Sequence, residues 1–107
     1  MAYIITTSLY PSDKAPEVAK RYLEAMQKYP IDESLENPVV PAAVKGTQQG
    51  IKVLIILESK KGKLEEAYAR SVSRNVMFQS IPGFESSTEV HFTLTEALTA
   101  IGMSLPE

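Results

Sequence analysis

Over Tyr3–Tyr10 the side chains alternate with period two. Tyr3, Ile5, Thr7 and Leu9 share one face, and Ile4, Thr6, Ser8 and Tyr10 share the other. β-Branched and aromatic residues dominate this run and Pro11 closes it, so it reads as a strand. The period then changes. Across residues 16–29, Val18, Ala19, Tyr22, Leu23, Ala25, Met26 and Tyr29 recur on one side of a helix, opposite Glu17, Lys20, Arg21, Glu24 and Lys28. Ser12 and Asp13 offer caps, Pro16 suits a first turn and Pro30 stops the helix.

Residues 31–37 are acidic, with room for one helical turn. Residues 39–45 read as a strand interrupted by Pro41, which places it at a sheet edge. The segment IKVLIILES at 51–59 is apolar on both faces and reads as a central strand. A second helix is predicted over 63–80, with Leu64, Ala67, Tyr68, Val72 and Phe78 inward and Ser71 and Asn75 among them. Residues 84–94 alternate again, with Val90, Phe92 and Leu94 opposite Glu89, His91 and Thr93. Thr93 or Thr95 then caps a short terminal helix.

Strand, helix, strand, strand, helix, strand with right-handed crossovers gives an α+β, ferredoxin-like βαββαβ sandwich with a short C-terminal helix and a four-stranded antiparallel sheet. This layout places the first and third strands in the centre and the second and fourth at the edges. Two helices cover one face of such a sheet. The other face would present Ile4, Leu54 and Ile56, or their neighbours of opposite parity, to water. A contiguous apolar face of that kind marks an interface, and a second copy packed sheet to sheet is the economical cover. In element order, lengths and two-sided third strand, nearly the whole chain resembles the dimeric α/β-barrel superfamily of small ferredoxin-like proteins. That resemblance implies a homodimer through the sheet faces with a cavity between them. Members range from cofactor-free monooxygenases to isomerases, haem-handling enzymes and proteins of no known activity.

The length of 107 residues suits a single domain over 1–107. The absence of cysteine removes disulfides, thiolate metal sites and a thiol nucleophile. Eleven basic against thirteen acidic residues give a net charge of -2, which argues against a nucleic-acid partner. The third strand also lacks the aromatics of an RNA-recognition module. The N-terminal residues lack the basic and apolar regions of a signal peptide, and no apolar run approaches the roughly 18 residues of a membrane span. A cytoplasmic protein without a membrane partner is expected. A single histidine excludes a multi-histidine metal site within one chain. There is no tryptophan to accompany a haem, and no cofactor is expected.

One polar constellation carries candidate chemistry. Glu89 and His91 are two residues apart on the last strand, within reach of an ion pair that would tune the imidazole as a general base. Thr6, Ser8, Tyr10 and Thr93 are expected beside them as ligand-binding positions. The plainer reading is an edge strand showing polar residues to water. Asp32, Glu33 and Glu36 read as a solvated acidic loop, and Ser71 and Asn75 as packing and loop-bonding residues or the lining of a pocket under the helix. The leading expectation is a homodimeric protein that binds a small organic molecule in a cavity between two sheets. The alternatives are a cofactor-free isomerase, oxygenase or lyase using His91, and a structural dimer without ligand.

Overall fold

The computed structural model describes residues 1–106. Its elements are β1 (Tyr3–Tyr10), a 3-10 turn (Ser12–Lys14), α1 (Ala15–Lys28), β2 (Glu36–Thr47), β3 (Gly50–Ser59), α2 (Leu64–Val76), β4 (Glu85–His91) and α3 (Leu94–Ala100). The order matches the sequence pattern, and several boundaries differ, among them the far end of β2, which runs on to Thr47. β2 starts earlier, because irregularities between Pro38 and Val40 and between Val40 and Ala43 let the edge strand absorb its prolines. The second helix stops at Val76 and gives way to tight turns before Pro82. β4 stops at His91 because Thr93 turns the chain into α3 through a capping box.

The strands form one open antiparallel sheet in the order β2-β3-β1-β4, with β1 and β3 central and β2 and β4 at the edges. This mixed α+β arrangement is compatible with a ferredoxin-like layout. Among the described residues no helix is long and apolar enough to cross a membrane.

Helices α1 and α2 cover one face of the sheet. Ile4 and Leu57 pack there with Leu35 and Ala67. Tyr10 packs with Val18, Ala25, Phe78 and Ile81 in a second cluster. Phe84 stacks between Tyr10 and Phe78, its centroid 5.9 Å from the first ring and 5.1 Å from the second. Ile4, 1% exposed, therefore belongs to the core. Leu54 and Ile56 instead share the uncovered face with Ile5 and Leu9, which settles the parity that alternation alone left open.

The helical layer is tied to the sheet by an ion pair. Arg74 Nε donates to the Tyr29 carbonyl at 2.7 Å, and its Nη2 donates to the Pro30 carbonyl at 3.2 Å and to Glu36 Oε1 at 2.8 Å. Arg70 also donates to the Pro30 carbonyl. Guanidinium groups from α2 thus serve the carbonyls at the C-terminal end of α1, where the helix has no donors of its own. Glu36 has no exposed surface, which corrects its reading as part of a solvated acidic loop. The preceding segment does make a single helical turn, with the Leu35 and Glu36 amides both donating to the Asp32 carbonyl, at 2.9 and 3.0 Å. The Asp32 carboxylate accepts from Ser34 Oγ and N, and these bonds lower its pKa.

Glu36→Ala leaves the Arg74 charge buried without its partner. It is expected to cost roughly 3–5 kcal/mol in urea unfolding, whereas Glu36→Met with Arg74→Met removes both charges and costs less, the remaining loss coming from the Arg74 donors to the Tyr29 and Pro30 carbonyls. Equal losses in the two variants would show that the charge pairing is not what holds this junction. Gly50 is the other tight point. It sits at φ 135°, and a Cβ there would lie 2.2 Å from the Tyr10 carbonyl oxygen. Gly50→Ala is therefore expected to cost about 2 kcal/mol or more, read as a lowered midpoint in the same experiment.

Candidate functional site

The antiparallel register pairs Tyr3 with His91, Ile5 with Glu89 and Thr7 with Ser87. Odd positions of β1 therefore share a face with odd positions of β4, and Glu89 and His91 lie on the uncovered side. His91 Nε2 stands 3.0 Å from Glu89 Oε2, with both side chains half or more exposed. The close pairing expected from their spacing is thus present. Thr6, Ser8 and Tyr10 are on the opposite, helix-covered face, across from Thr88 and Ser86. The polar constellation anticipated on one surface is split between two. Thr93 joins neither group. Its hydroxyl accepts from the Glu96 amide at 3.2 Å, and its amide donates to Glu96 Oε1 at 2.9 Å, so it serves α3 as an N-cap.

Thr6, Ser8 and Tyr10 line a cleft of about 500 Å³ between the sheet and the two long helices. The cleft exists because α1 stands off from β2. Val18 and Ala25 are buried, whereas Ala19 and Leu23 of the same apolar stripe are exposed, Leu23 by 63%. They face Pro41 and Val44 of β2 across an apolar mouth, with Met26, Ile55 and Leu57 further along the walls.

Polar groups are few and almost all engaged. Thr6 Oγ1 shares a hydrogen bond with Thr88 Oγ1 at 3.2 Å. Asn75 Oδ1 accepts from Ser86 Oγ at 2.8 Å, and Arg74 is neutralised by Glu36. Among the described residues the buried atoms Glu36 Oε2, Arg70 Nε and Ser71 Oγ lack a partner, and of these three residues only Ser71 lines the cleft. Ser71 is 5% exposed, and its Oγ has no hydrogen-bond partner among the described residues. Such a group normally finds one, in the protein or in what the protein binds. Ser71 and Asn75 had shown in the sequence as polar breaks in an apolar helical stripe, and both line the cleft. Burial raises the pKa of the Tyr10 phenol, so the hydroxyl stays protonated further into the alkaline range.

The uncovered face is read directly from the register. Taken from β2 to β4, its first row is Lys45, Lys52, Leu9 and Glu85, followed by Ala43, Leu54, Thr7 and Ser87. The third row is Val40, Ile56, Ile5 and Glu89, and the fourth is Asn37, Glu58, Tyr3 and His91. Leu54, Ile56, Ile5 and Thr7 hold the middle of the face, Lys45 and Lys52 hold one corner, and Glu58, Glu85 and Glu89 stand elsewhere on its margins.

Comparison of the chain with protein-family models, with curated proteins and with solved structures finds no match.

The raised Tyr10 pKa predicts alkaline sensitivity. Both folded and unfolded chains keep this phenol protonated below its ordinary value of about 10. As pH climbs from there through the folded value, the unfolded chain ionises first and stability falls. Tyr10→Phe is expected to flatten this alkaline decline relative to the parent, measured by urea midpoints across the alkaline range. An unchanged slope would show that Tyr10 is not its source.

Proposed function

We propose that this protein binds a small organic molecule in the cleft beneath α1 and α2, and that it does so as a ferredoxin-like homodimer of the dimeric α/β-barrel type. The observation that carries the binding reading is the buried, unpartnered Ser71 Oγ on the wall of a cleft of about 500 Å³. A volume in that range accommodates a drug-sized molecule, and apolar walls with a few placed polar groups are what such sites offer. The ligand is an uncharged molecule with a largely apolar body and one or two hydrogen-bonding oxygens. Its body meets Leu23, Met26 and Ile55, and an oxygen accepts from Ser71 or Tyr10. A charged group is disfavoured because Arg74 already has Glu36, and an added carboxylate would lose its water without a free cation to receive it. This reading places the ligand beneath the helices rather than between two sheets, since that is where Thr6, Ser8 and Tyr10 converge. A cytoplasmic setting suits a chain without cysteine.

One observation favours a second reading. The His91–Glu89 pair, at 3.0 Å, is an oriented imidazole of the kind a cofactor-free isomerase, oxygenase or lyase would use as a base. It opens onto the uncovered sheet face, so a substrate there would be enclosed only by a second subunit. His91→Ala would abolish such an activity while leaving binding in the cleft intact.

Native mass spectrometry of freshly purified protein is expected to show an organic adduct or, if the cleft is empty, uptake of the neutral apolar dye Nile red. Ala19→Trp fills the mouth from an exposed position and is expected to weaken dye binding at least about tenfold without lowering the unfolding midpoint. The reading fails if parent and variant bind alike, or if neither carries nor takes up a ligand.

A further inference from the structure

We propose that a second copy of this chain covers the open sheet face about a two-fold axis crossing the strands, so that Lys52 meets the partner's Glu58 and His91 meets the partner's Glu85. This rests on the reading of the protein as a homodimer and specifies which surfaces recognise one another. Two sheets pack face to face with their strands roughly aligned, within about 30°. An isologous pair can reach that geometry with the axis either across the strands or along them. The residues on the face distinguish the two.

With the axis across the strands, the first row of the face lies over the partner's fourth, and the second over its third. Leu54 then packs on the partner's Ile56, and Leu9 on the partner's Tyr3. Lys52 and Glu58 form an ion pair twice, once on each side of the axis. With the axis along the strands, Lys45 would meet the partner's Glu85, but every other charge fares badly. Lys52 would lie on the partner's Leu9, Glu58 on the partner's Tyr3, and Glu89 on the partner's Val40. Lys52 and Glu58 would lose water without gaining an opposite charge, and the Glu89–His91 pair would gain none from the partner. The first arrangement buries apolar on apolar and gives Lys52, Glu58, Glu85 and His91 opposite partners, leaving Lys45 over the partner's Asn37 and Glu89, still held by its own His91, over the partner's Ser87.

The same arrangement completes a composite site. Glu89 already holds His91 from the same strand, at 3.0 Å. The partner's Glu85 would approach the imidazole from across the interface. Both copies of the histidine would then sit between carboxylates from two chains, and a lone subunit holds only half of that environment.

Charge reversal tests the register. Sedimentation equilibrium is expected to give a dimer for the parent. Lys52→Glu and Glu58→Lys are each expected to raise Kd at least about tenfold, and the two together to restore it to within about threefold. Circular dichroism confirms that each variant stays folded. As an independent check on the unaltered dimer, carbodiimide is expected to join Lys52 to Glu58. These residues are about 20 Å apart along one strand at roughly 3.3 Å per residue, so the link forms only between chains. A parent that is monomeric at every concentration, or associated only with another protein, would overturn the homodimer and this proposal together. A dimer unmoved by the single reversals, or one weakened by Lys45→Glu and by Glu85→Lys singly and restored by the two together, would overturn the axis and leave the homodimer standing.

Discussion

A carboxylate with no exposed surface and a guanidinium almost as deeply placed hold three elements of this fold at one point. Glu36 opens β2, Arg74 lies on α2, and the carbonyls that Arg74 also receives end α1. Two charges removed from water are retained only when each has its partner, so this junction tolerates little rearrangement. It pins the C-terminal end of α1 and leaves the flank of that helix facing β2 free to stand away from the sheet. The cleft opens beside the flank of α1 that carries Ala19 and Leu23, while Val18 and Ala25 of the same helix pack into the core.

Most of the architecture was legible from periodicity. The two-sided run at 51–59 belongs in the middle of a sheet, and the proline-bearing strand belongs at its edge, which is where β3 and β2 lie. What periodicity could not supply was the parity of β1. Its faces are nearly matched, with Tyr3, Ile5, Thr7 and Leu9 against Ile4, Thr6, Ser8 and Tyr10, so alternation shows two surfaces without saying which one the helices cover. That is set by pairing with a strand more than eighty residues away, where Thr6 lies opposite Thr88. A shift of one residue exchanges every side chain between faces. The grouping of Thr6, Ser8 and Tyr10 with His91 depended on that unseen register.

Glu36 was hidden for a related reason. It stands in an acidic run that resembles a solvated loop, and the arginine that makes its burial tolerable lies 38 positions further along the chain. Local composition describes the neighbours in sequence, whereas burial of a charge depends on neighbours in space. Ser71 and Asn75 were more visible, because a polar residue within an apolar helical stripe contradicts its surroundings. Contradictions of that kind can be read from one sequence. A matched pair of distant charges, each ordinary in its own segment, cannot.

The prolines of β2 have a consequence for how copies of this chain can join. A strand at a sheet border offers a row of unpaired amides and carbonyls, and head-to-tail pairing of two different borders makes a ribbon that never terminates. Such growth would need β2 of one molecule to accept β4 of the next. Pro38 and Pro41 lack the amide hydrogen, and the irregular register around them bends the strand away from a straight template. The opposite border, β4, has only seven residues and no proline. It can pair with its own copy once and then has no edge left to extend. Head-to-tail growth from the folded state is thereby hindered along the proline-bearing part of β2, while its regular stretch from Ala43 to Thr47 keeps the form of an ordinary edge.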